Sequence, residues 1–93
     1  MNINIPNKIK VGGLDYDIIL KNRIEEDGVS DMGTQYTPIQ KMWIDNTYHK
    51  QQQEETFLHK IIEAINDSYE LNLEHHKICT LSNLLYQVIK QLK

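Results

Sequence analysis

Apolar and polar positions alternate along the first half of the chain and fall into three-and-four spacing along the second. Lys8-Ile9-Lys10-Val11 alternates, meets Gly12-Gly13, and is followed by Tyr16-Asp17-Ile18-Ile19-Leu20. Two β-prone runs around a Gly-Gly pair predict a hairpin. Arg23 to Asp31 is acidic and polar, with Gly28 as its expected turn. Thr34-Gln35-Tyr36-Thr37 and Lys41-Met42-Trp43-Ile44-Asp45 read as two further short strands. Pro38 between them ends or interrupts a strand, because it lacks the amide donor. Trp43 with Ile44 places the last strand partly in the core.

From His49 the pattern turns helical. Gln51 to Asn66 contains no Gly or Pro and is rich in helix formers. Phe57, Ile61, Ile62, Ala64 and Ile65 make one apolar stripe, with Tyr69 extending it. Asn66-Asp67-Ser68 and Asn72 blur where this helix ends. A second helix is expected to start near Glu74, with Ile78, Leu81, Leu85, Val88 and Leu92 in three-and-four spacing and Leu84 and Ile89 widening the stripe. That stripe is expected to be core rather than a dimer zipper. The predicted class is α+β: a small, largely antiparallel sheet of three to four strands packed against two helices, in one domain spanning residues 1–93.

Composition narrows the function classes. A chain of 93 residues must build an economical core. A net charge of -3 is too small for a nucleic-acid surface or for a mimic of one. No apolar run approaches membrane-spanning length, and the N-terminus carries neither a cationic cluster nor a long apolar segment. Cys79 is the single cysteine, so no intramolecular disulfide forms and a reducing compartment is expected. The resulting expectation is a cytoplasmic protein with no nucleic-acid or membrane partner.

Residues four apart on a helix share a face, so His59 and Glu63 can converge on one ion. Both are acceptable zinc ligands, although on spacing alone most such pairs are surface neighbours. Cys79 adds a thiolate donor in the second helix. His75 lies four residues before Cys79 and His76 three, and either can accompany it. The plain alternative makes Cys79 a small buried residue and His75 and His76 ordinary polar residues at a helix start. Glu25-Glu26-Asp27 has the wrong spacing for an EF-hand and reads as a solvated loop. Trp43, Tyr36 and Tyr48 read as core or rim residues, and Gly12-Gly13 as a turn.

The run Thr56-Phe57-Leu58-His59-Lys60-Ile61-Ile62-Glu63-Ala64-Ile65, preceded by Trp43-Ile44-Asp45 and the Gln51–Glu55 turn, resembles small phage and prophage metallopeptidases of the minimal gluzincin, ImmA-like type. Their active-site helix reads T-x-L-H-E-x-x-H-A-I. Leu81-Ser82-Asn83-Leu84-Leu85-Tyr86-Gln87-Val88-Ile89 is similar to their closing helix. The resemblance implies that His59 keeps the first ligand position, Lys60 replaces the general-base glutamate, Glu63 replaces the second His ligand, and Cys79 stands near the third ligand position. Lys60, protonated near neutral pH, has no acceptor capacity and cannot take a proton from metal-bound water. The expectation is therefore a non-catalytic, metallopeptidase-like phage protein of an infected or lysogenic bacterial host. It would act as an interaction module on a host or phage protein, inhibition of a defence protein being one form. No cofactor is required, and zinc is the group a His59, Glu63, Cys79 set would hold. The alternatives are a metal-dependent hydrolase with that His/Glu/Cys site and another base, or an accessory structural protein.

Overall fold

The computed structural model describes residues 4–22, 24–26, 29–31, 33–36 and 40–92. Asp27, Gly28, Thr37 and Pro38, read above as loop, turn, strand end and strand break, lie outside these residues. The chain forms β1 (Lys8–Val11), β2 (Leu14–Lys21), β3 (Ile24–Glu26), β4 (Val29–Asp31), β5 (Gly33–Tyr36), β6 (Lys41–Asp45), α1 (Lys50–Tyr69) and α2 (His75–Gln91). The fold is α+β, as the hydropathy pattern predicts.

The Gly12-Gly13 hairpin joins β1 and β2, pairing Lys8 with Asp17 and Val11 with Leu14. Gly12 and Gly13 both have positive φ, at 60° and 83°, which glycine adopts without a Cβ clash. A four-stranded sheet runs β1-β2-β6-β5, and β3 pairs with β4 in a separate two-stranded ribbon. The segment expected as an acidic loop thus carries paired strands. Two of the three pairings in the main sheet are antiparallel, but the central one, β2 with β6, is parallel and sets Ile18 opposite Met42. A parallel neighbour needs a long crossover. The described residues between β2 and β6 supply the β3–β4 ribbon and β5 and contain no helix.

Period-two alternation puts Tyr16 and Ile18 of β2, and Met42 and Ile44 of β6, on one sheet face. With Val11 they meet Phe57 and Ala64 of α1, and Ile5, Ile9, Ile61 and Ile65 pack around this cluster. After β6, the buried Asp45 accepts hydrogen bonds from the Thr47 amide (2.9 Å) and hydroxyl (2.5 Å), turning the chain toward α1. Gln53 then donates to the carbonyls of Tyr48 (2.8 Å) and Asn46 (3.3 Å). This fastens the first turns of α1 over the end of β6.

Beyond α1, Glu70 and Asn72 take left-handed φ of 51° and 57°, and Asn66 Oδ1 accepts the Leu73 amide at 2.9 Å. This tight connection returns the chain as α2. Here the expected layering changes. α2 packs chiefly on α1, with α1 between it and the sheet. The buried side of α2 is Ile78 and Ser82, with Tyr86, Ile89 and Lys90 half-buried. Leu81, Leu84, Leu85, Val88 and Leu92 are 42–55% exposed, so the predicted core stripe keeps only Ile78 inside. Tyr69, the expected extension of the α1 stripe, is also exposed.

Candidate metal centre and the polar face of α1

Two polar residues of α1, Glu54 and His59, reach α2. Glu54 and Lys60 are buried, and His59 and Glu63 half-buried. Three clusters result, and each ties α1 to α2 or links neighbours on α1.

The first contains the residues that the sequence resemblance singles out. Helical spacing places His59 Nε2 2.5 Å from Glu63 Oε1 and Lys60 Nζ 3.4 Å from the same oxygen. Burial works against the Glu63 charge, but the His59 hydrogen bond and the Lys60 cation outweigh it, and its carboxyl sits below the ordinary carboxylate range. A carboxylate held this way is a poor proton acceptor. Lys60, at the position that the resemblance assigns to a general base, instead neutralises the residue one turn on.

The second cluster spans both helices. One ligand atom each from His59, His75 and Cys79 lie within 4.8 Å of one another. Cys79 Sγ is 3.4 Å from His75 Nε2, because residues four apart on α2 share a face. The His59 and His75 rings meet edge-to-face at 65°, their centroids 5.3 Å apart. His59 Nδ1 lies 3.5 Å from the fully buried Ser82 Oγ, which donates to the Cys79 carbonyl at 3.0 Å. Of the two histidines that could accompany Cys79, His75 is the one brought to it. His76 turns outward and pairs with the exposed Glu74 at 3.2 Å. Of the expected set His59, Glu63 and Cys79, the first and last meet, while Glu63 stands beside His59 outside the three-residue cluster.

The third cluster had no counterpart among the candidate residues. Glu54 is 2% exposed, accepts the Tyr86 hydroxyl at 2.6 Å and faces Lys90 Nζ at 3.6 Å from the same oxygen. Desolvation, followed by this hydrogen bond, pushes the Tyr86 phenol up to about 12. Lys90 Nζ also lies 5.8 Å from the Tyr86 ring centroid. The signal in the sequence was present: Glu54 is three residues before Phe57, on the apolar side of α1, where a carboxylate must find a partner.

Comparison with family models, with curated proteins and with solved structures finds no match to this chain. No helix among the described residues is long and apolar enough to cross a membrane.

Proposed function

We propose that this chain is a non-catalytic relative of the small phage and prophage metallopeptidases and works by binding protein, through the outer face of α2. The observation that carries the reading is the exposure of Leu81, Leu85, Val88 and Leu92, spaced four, three and four, with Leu84 beside them. This is the spacing of a helix–helix seam. Scattered exposed leucines are ordinary, but five on one helix face form a contiguous patch of the kind that marks an interaction site.

The occupant we assign is a second copy of the chain. No charged residue lies between Ile78 and Ile89, and the seam is flanked by Thr80, Asn83, Gln87 and Gln91. A two-fold contact sets each patch against itself, so charges of one sign would face each other; this face has none to repel. It equally offers no charge pattern to select a foreign helix. Completing the burial of one such side chain contributes roughly half of the ~1.5–3 kcal/mol for full burial, so two faces supply on the order of 8–15 kcal/mol gross. Association costs ~4 kcal/mol or more, with side-chain ordering on top, so the net of at most ~4–11 kcal/mol corresponds to millimolar affinity at the low end and nanomolar as the upper bound.

The hydrolase alternative needs a proton acceptor. Lys60 cannot serve, and Glu63 is occupied by His59 and Lys60. The test is the solution mass of the full chain across micromolar to high-micromolar concentration, beside Leu85→Glu and Val88→Glu. A concentration-dependent dimer that both exposed-site variants abolish, with unchanged circular dichroism, supports the reading. A monomer throughout overturns the assigned occupant. Zinc-dependent peptide cleavage that is lost in His59→Ala overturns the non-catalytic assignment.

A further inference from the structure

The geometry points to a zinc-class divalent-metal site formed by His59, His75 and Cys79, clamping the start of α2 onto α1. The donors are two imidazoles and one thiol, a set suited to a borderline or soft divalent ion and unsuited to calcium or magnesium. Zinc–sulfur and zinc–nitrogen lengths of ~2.3 and ~2.0–2.1 Å put the edge of a tetrahedron between sulfur and nitrogen at roughly 3.6 Å. Cys79 Sγ and His75 Nε2 are already 3.4 Å apart. The third donor atom, from His59, lies within 4.8 Å of both, so it must approach by roughly an ångström to close the tetrahedron.

The structure also indicates how His59 would enter. Its Nε2 is held by Glu63 at 2.5 Å, whereas its Nδ1, on the side of Ser82 and hence of α2, has only a 3.5 Å contact. Nδ1 is the nitrogen released at less cost. Glu63 would then hold the far edge of the ring, the outer-shell carboxylate that orients a metal-bound imidazole. Three protein donors leave a fourth position for water or another ligand. The Lys60 cation beside Glu63 opposes a dication, but the Glu63 carboxylate and the Cys79 thiolate, whose proton is released on binding, offset it. This arrangement differs from the His59, Glu63, Cys79 set expected from the sequence: a histidine replaces Glu63 in direct contact. It is also independent of self-association, because its two α2 residues precede the Leu81–Leu92 seam.

The test is titration of the reduced, metal-free full chain with cobalt(II), then displacement by zinc. The expected result is one ion per chain, a thiolate-to-cobalt charge-transfer band, tetrahedral ligand-field bands, and a zinc-dependent rise in Tm. Cys79→Ser abolishes the charge-transfer band. Cys79→Ser and His75→Ala each weaken zinc binding by more than the roughly 10–100-fold that loss of an outer-shell partner costs. His76→Ala leaves binding unchanged. His75 is exposed and Cys79 only partly buried, so folding, checked by circular dichroism without metal, is expected to survive. Absence of the charge-transfer band, or equal zinc affinity in the unsubstituted chain and in His75→Ala, overturns the site. Equal losses in His75→Ala and His76→Ala overturn the ligand assignment.

Discussion

Replacing Tyr86 by Phe removes one hydroxyl and leaves Glu54, 2% exposed, without its closest donor at 2.6 Å. Lys90 remains at 3.6 Å, so the carboxylate is weakened in its pairing and not orphaned. A hydrogen bond to a charged group contributes roughly 1.5–3 kcal/mol, and the surviving ammonium places the loss in the lower half, at about 2 kcal/mol. In a domain of this size that corresponds to a fall in Tm of roughly 8–16 °C. Urea unfolding at pH 7 measures it directly. In a Glu54→Gln background the same change removes a neutral hydrogen bond and costs only about 1 kcal/mol, giving a coupling of about 1 kcal/mol. A loss below about 0.5 kcal/mol, or an equal loss in both backgrounds, would refute the reasoning.

The same pair makes a pH prediction. Desolvation and the Glu54 hydrogen bond raise the folded phenol to about 12, so the folded state favours the neutral hydroxyl. The unfolded phenol titrates near 10. The contribution is therefore complete below pH 10 and disappears as pH rises through about 12. The displacement corresponds to at most about 2.7 kcal/mol, and solvent access to the phenol reduces this to on the order of 1–2 kcal/mol. The stability gap between the unsubstituted chain and Tyr86→Phe should close across that window, since lysine titration is common to both.

Two further changes test the α1 ion pairs and the hairpin. Lys60→Met removes one of the groups that hold Glu63 below its ordinary value of 4.5. The stabilisation from this depressed carboxyl is present above the unfolded value and lost as pH falls through the folded one, so the variant's deficit at pH 7, about 1 kcal/mol, should shrink below about pH 4.5; a deficit constant from neutral pH to pH 3 contradicts the pairing. Gly12→Ala and Gly13→Ala both carry a left-handed penalty of ~1–2 kcal/mol, but a Cβ at Gly12 also comes within 3.0 Å of the Tyr69 ring, whereas Gly13 has nothing within 4 Å. Gly12→Ala should therefore be the costlier of the two in chemical denaturation, and Tyr69→Ala should erase the difference; a greater cost at Gly13 rules this out.

The elements were legible where periodicity is strong. Lys41 to Asp45 forms β6 within the expected limits, Gly12-Gly13 turns the β1–β2 hairpin, and Glu74 caps α2. The parallel β2–β6 pairing was not legible, because alternation gives a strand's face and not its neighbour's direction, and among the described residues between the two strands no helix announces a crossover. Of the candidate metal ligands, His59 and Cys79 meet as the helical faces allow. The choice of His75 over His76 depends on the rotation of α2 about its own axis, which no local pattern fixes. Glu54 was missed because helix-forming propensity and charge made it read as surface.

That rotation is the central physical fact of the molecule. Apolar spacing alone turns α2 so that Leu81, Leu85 and Val88 face α1, yet Ser82 and Tyr86 face it instead. Two polar anchors on α1 select this side: the buried Glu54 takes Tyr86 and Lys90, and His59 meets Ser82. Rotating the leucines inward would take Tyr86 and Lys90 away from a buried carboxylate. Breaking a buried pair by removing one partner costs ~3–5 kcal/mol, before the loss of the Ser82 contact to His59 is counted. The leucines would recover roughly 4–7 kcal/mol only if they packed well, and a buried carboxylate stripped of its partners among them does not pack well. The Glu54 and His59 anchors thus favour the Ser82–Tyr86 side of α2 as the buried one. By the same choice they leave an apolar, uncharged helix face outside. α1 accordingly works here as the element that orients α2, and the exposed apolar face follows from it.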